Sequence, residues 1–77
     1  MVTMENIRKT GNIISLDCYA EGQKEGHFYL EIDASTFEII TNSHNEMDAY
    51  VFHALQRVKA CILEGNELPE HMMSMWC

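Results

Sequence analysis

The chain has 77 residues, with 12 Asp and Glu against 5 Lys and Arg and a formal net charge of −7. A chain this short makes one domain, residues 1–77, whose single core rarely supplies more than ~3–5 kcal/mol. The acidic balance argues against binding nucleic-acid phosphates or anionic membranes. The three cysteines, Cys18, Cys61 and Cys77, are odd in number and far apart, which argues against a disulfide framework.

In chain order, Met1 to Thr10 lacks the apolar run of a signal peptide. Glu5 to Lys9 is expected as a short strand, because Lys9-Thr10-Gly11-Asn12 has the composition of a tight turn. Asn12 to Ala20 alternates, with Ile14, Leu16, Cys18 and Ala20 on one side and Ser15, Asp17 and Tyr19 on the other. Glu21 to Gly26 is polar, holds two glycines and suits a hairpin connection. His27 to Asp33 alternates more cleanly, with Phe28, Leu30 and Ile32 on its core side. Asp33 to Thr36 makes a turn into a third strand, Thr36 to Thr41, with Phe37 and Ile39 facing inward.

Antiparallel partners share a face, so the spacing constrains register. Ile32 opposite Phe37 satisfies the second hairpin. In the first hairpin, Leu16 can oppose either Leu30 or Ile32.

Ser43 to Gly65 reads as one long helix. Met47, Tyr50, Val51, Ala54, Leu55, Val58, Cys61 and Ile62 form a continuous apolar stripe at 100° per residue. Ser43 with Glu46 fits a capping box, and Asn45 with Asp48 is a competing start. Gly65 suits a left-handed helix end. The opposite side is apolar too, at Ala49, Phe52, Ala60 and Leu63, interrupted by Gln56 and Lys59. Such a helix needs cover on two sides: a sheet on one, and the chain's tail or a second subunit on the other.

The tail crowds Met72, Met73, Met75 and Trp76 into a few residues after Pro69, which can open a short helix over Pro69 to Trp76. An apolar terminus of this kind is expected to dock over the Phe52/Leu63 side.

The fold class expected is α+β: a three- or four-stranded antiparallel β-meander, one long helix on one face, and a short helical or apolar tail. No catalytic, cofactor-binding or metal-ligating set emerges. His27, His44, His53, His71 and the cysteines lack zinc-site spacing, and the glycines fit turns and caps rather than a phosphate cradle. Asp17, Glu31, Asp33 and Glu38 share the sheet face away from the helix with Ile13, Tyr19, Tyr29 and Ile40, a composition suited to a protein contact.

The expectation is a non-enzymatic interaction or assembly module in a reducing cytosol of bacterial type, needing no cofactor. It would form a homo-oligomer, most simply a dimer. The interface candidates are Phe52, Leu63, Ala49, Ala60, Met72, Met75, Trp76, Tyr19 and Tyr29. The alternatives are an acidic inhibitor or adaptor docking a basic protein, and a small-ligand or enzyme accessory module with a pocket between tail and helix.

Overall fold

The computed structural model describes residues 1–76. Four strands run as a meander: β1 (Val2–Thr10), β2 (Ile13–Ala20), β3 (His27–Asp33) and β4 (Ile39–Asn42). A helix, α1 (Ala49–Leu63), crosses one face, and a last strand, β5 (Met72–Ser74), completes the order β4-β3-β2-β1-β5. Every neighbouring pair is antiparallel. The α+β class holds, with five strands in place of three or four. No helix among the described residues is long and apolar enough to cross a membrane.

The alternation in β2 and β3 decides which face is buried. Ile14, Leu16 and Cys18 pair with Ile32, Leu30 and Phe28, and all six are buried against α1. Leu16 opposite Leu30 is the register taken. Val51, Ala54, Val58 and Cys61 close the core from the helix, with Val2, Met4 and Ile7 from β1. Full burial of one aliphatic side chain of this kind contributes about 1.5–3 kcal/mol, so this layer carries most of the driving force.

Strand β1 is longer than expected and contains a bulge between Glu5 and Arg8, where Asn6 takes a φ of 52°. The extra residue returns Ile7 to the buried face after Met4, a change of parity that strict alternation does not anticipate. Gly26 approaches the preceding strand so closely that a Cβ there would lie 2.6 Å from the Ala20 carbonyl oxygen. The hairpin therefore needs glycine at that position.

The second hairpin corrects the expected register. Ile32 opposes Ile39, not Phe37. The Asp33 carboxylate accepts the amide hydrogens of Ser35 and Thr36 at 2.8 and 3.0 Å and winds the chain into a longer turn than expected. The Phe37 amide donates to the Asp33 carbonyl at 2.8 Å, and Phe37 itself takes a φ of 63°. Thr36 and Phe37 are thus consumed by the turn, and pairing resumes two residues later.

The helix also starts later than expected. Ser43 lies in the turn just after β4 and is tied to β3: the Tyr29 amide donates to its Oγ at 2.7 Å, and its own amide donates to the Tyr29 carbonyl. Asp48 caps α1 instead, accepting from the Val51 amide at 3.1 Å. Met47 consequently falls outside the helix and is exposed. At the other end Gly65, with φ of 78°, donates to the Ile62 carbonyl, the left-handed termination expected there.

The tail forms no helix. Met4, Thr3 and Val2 pair with Met72, Met73 and Ser74. A handful of residues cannot sustain a helical nucleus, whereas the free edge of β1 offers a ready ladder of hydrogen bonds. Met72 enters the core at 7 % exposure.

Candidate functional site

Once β5 is in place, Trp76 lies against one flank of α1. Its ring stacks on His53 at a centroid distance of 4.0 Å and meets Tyr50 edge-on at 5.6 Å. The tail docks as expected but on a different side. His53 is one residue, or 100° of rotation, from Phe52, and the Phe52/Leu63 side stays open. Phe52 is 49 % exposed, Leu63 67 %, and Ala49 is exposed beside them. Ala60 is half-buried. Lys59 leans off this face, its ammonium 5.7 Å from the centre of the Phe37 ring.

The other interface candidates separate by location. Met72 is part of the core and unavailable to a partner. Met75 is 74 % exposed beyond β5. Tyr19 and Tyr29 are half-buried on the open face of the sheet. Cys77 lies outside the described residues.

That open face is a set of short polar networks. Asp17 accepts from the Asn6 side-chain amide at 2.9 Å and lies 2.8 Å from His27 Nε2. The Asn6 hydrogen bond, reinforced by His27, holds the Asp17 carboxyl below its ordinary range. Glu31 accepts from Thr41 at 2.6 Å and from the Tyr29 hydroxyl at 3.0 Å, and both bonds lower its pKa, Thr41 more. Asp33 is held in the β3–β4 turn. The expected acidic face exists, yet three of its carboxylates already have partners inside the chain.

One cluster went unforeseen. His44, Glu46 and Asp48 bring three potential ligand atoms within 4.8 Å of one another, the single group of metal-ligand type among the described residues. His44 Nε2 is 2.6 Å from Asp48 and 3.3 Å from Glu46. Burial pushes the Asp48 carboxyl upward, but the Val51 amide and His44 together bring it below the ordinary value. The spacing of alternate residues just before α1 was visible in the sequence; the turn that gathers them was not. Asp48 is engaged as the helix cap and the His44 ring is stacked on Phe28 at 5.1 Å, so the approach to α1 accounts for the cluster.

The two described cysteines are free and buried. Burial, with a smaller contribution from the Asp17 charge, pushes the Cys18 thiol up to about 12, which makes it inert as a nucleophile. Cys61 points its thiol at the Asn66 and Glu67 carbonyls, at 3.9 and 3.5 Å, and pins the turn after α1.

The arrangement offers an apolar, weakly charged helix face and a polar sheet face whose groups satisfy one another. No family model, no curated protein and no solved structure matches this chain.

Proposed function

We propose that this chain is a non-enzymatic assembly module that pairs with a second copy of itself through the outer face of α1. The observation that carries the reading is that Phe52 and Leu63 remain 49 % and 67 % exposed after the chain's own tail has docked elsewhere. Ala49, Phe52, Gln56, Lys59 and Leu63 follow one another at steps of three, four, three and four, the spacing of a seam between two helices. Arg57 and Lys59 are the only charges in α1, so a parallel pair would bring like charges level. An antiparallel pair sets Phe52 of one copy against Leu63 of the other and opposes the helix dipoles favourably.

The helix is about 22 Å long, so a contact confined to it falls at the small end of dimer interfaces. Association is accordingly expected to depend on concentration in the micromolar range or above. The acidic-adaptor alternative has less support, because Asp17, Glu31 and Asp33 are bonded within the chain.

Light scattering across a concentration series tests the proposal. The mass should rise toward twice the 8.9 kDa of the chain. Phe52→Glu with Leu63→Glu should leave a folded protein of single-chain mass. A wild type that stays monomeric at about millimolar concentration, where even weak interfaces associate, sinks the proposal.

A further inference from the structure

A second feature lies at the C-terminal end of α1, on a different side of the helix from Phe52 and Leu63. A cleft of about 400 Å³ opens between the end of β1, the last turn of α1 and the loop that follows it. Ile7, Ala34, Ile62 and Leu68 give it an apolar lining, and Lys9, Asn66 and Glu67 supply its polar groups. We propose that this cleft binds a free apolar α-amino acid, with the carboxylate at Lys9, the ammonium at Glu67 and the side chain on Ile7, Ile62 and Leu68.

The walls are already fixed. The Asn66 amide donates to the Cys61 carbonyl at 3.1 Å, the Cys61 thiol holds the Glu67 carbonyl, and the Ile7 amide donates to Glu70 at 3.0 Å. The Ala34 amide donates to the Asn12 carbonyl at 2.9 Å. A cleft preformed in this way avoids the ordering cost that weakens most loop-built sites.

The charges choose the ligand. Lys9 pairs with Ile14 in the sheet register and so belongs to the helix side of β1, the side on which Val2, Met4 and Ile7 are buried. A lysine there covers apolar surface with its stem and brings its ammonium to the rim. Among the described residues, neither Lys9 nor Glu67 has an ion-pair partner, although they share one cleft. Glu67 also follows the C-terminal end of α1, where the helix dipole favours a cation. A simple fatty acid would meet an opposing carboxylate, and a simple amine an opposing ammonium. A zwitterion satisfies both. The volume is at the small end for ligand pockets, which suits a branched aliphatic or single-ring side chain.

The cleft is separate from the Phe52/Leu63 face, so its occupancy can be tested independently of assembly. Amide chemical shifts of isotope-labelled protein should be followed while adding L-leucine, 4-methylpentanoate, 3-methylbutylamine or glycine. Leucine should give saturable shifts at Ile7, Ala34, Ile62 and Leu68, with an affinity of about 1 mM or tighter for so small a ligand. Each singly charged analogue should bind about tenfold more weakly, as expected for losing one charged contact. Lys9→Met should weaken leucine and the acid but not the amine. Glu67→Gln should weaken leucine and the amine but not the acid. Both positions are exposed, so circular dichroism should report an unchanged fold. No saturable shift up to about 10 mM leucine, well above the affinity expected of a working site, overturns the proposal. So do equal effects of glycine or either analogue, or variants that leave leucine binding unaltered.

Discussion

The two long sides of α1 are both apolar in composition but unequal in the fold. Val51, Ala54, Val58 and Cys61 sit against the sheet with almost no exposure, while Phe52 and Leu63 face outward with about half their surface or more exposed. Hydrophobicity alone would have buried both. What separates them is that the sheet covers one side, and the remaining apolar segment, the tail, is captured by the edge of β1 before it can reach the other. A helix face can be left open because a strand edge competes more strongly for the same residues: the edge offers backbone hydrogen bonds as well as apolar contact.

The largest test of this contrast is a charge at Val58. Val58→Glu places a carboxylate in the core with no cation beside it, a cost of several kcal/mol, comparable with the whole stability of a domain this size. Circular dichroism should show an unfolded chain, whereas Phe52→Glu should keep the wild-type spectrum. If both variants unfold, the two sides are not distinct.

A smaller effect is expected at Trp76, which secures the tail to the flank of α1. Trp76→Ala should remove about 2 kcal/mol, from lost burial and two aromatic contacts, and lower the melting temperature by about 10 °C in a domain of this length. Wild-type tryptophan emission should be blue-shifted from that of free tryptophan. A fully water-like emission would place the tail in solvent.

Asp48→Ala removes the helix cap and should cost about 1 kcal/mol at neutral pH. The folded state holds Asp48 below its ordinary value, so its contribution is complete above the unfolded value of about 3.9 and is lost as pH falls through the folded one. The stability difference between wild type and variant should therefore shrink in acid, as denaturant melts at neutral pH and below about pH 3 will show. A gap that is constant or wider in acid contradicts the role given to the cap.

The smallest effect belongs to Phe52→Ala. In dilute solution it should change unfolding free energy by less than about 0.5 kcal/mol, as for other surface changes. A larger loss would show that Phe52 stabilises the single chain.

Much of the framework could be read from periodicity. The span His27–Asp33, the buried faces of β2 and β3 and the inner stripe of α1 follow directly from alternation and from steps of three and four. The parts that could not be read depend on side chains that rewrite local geometry. The Asp33 carboxylate organises a longer turn and moves Phe37 out of its expected register. Ser43, a plausible cap by composition, is taken by the Tyr29 backbone, leaving the cap to Asp48. The bulge at Asn6 and the capture of Met72 by β1 are both decided by pairing across long sequence separations. For the candidate interface, the apolar character of Phe52 and Leu63 was legible, but their exposure depended on where Trp76 came to rest. The cleft beside Lys9 required the bulge to turn Ile7 and Lys9 to the helix side of the sheet.

Strand β5 lies beside β1 with Val2 opposite Ser74, so the first and last strands run antiparallel about 5 Å apart. The chain is thereby close to a ring. A short linker joining the region of Met1 to that of Trp76 would turn the β5–β1 pair into an ordinary hairpin. A cut between Gln23 and Lys24 would then yield the order β3-β4-α1-β5-β1-β2 with every neighbour in the sheet retained. The three-residue β5–β1 pairing would become local, while the seven-residue β2–β3 pairing would join the two ends of the new chain, so the circular permutant should reach the same fold with a higher contact order and fold more slowly.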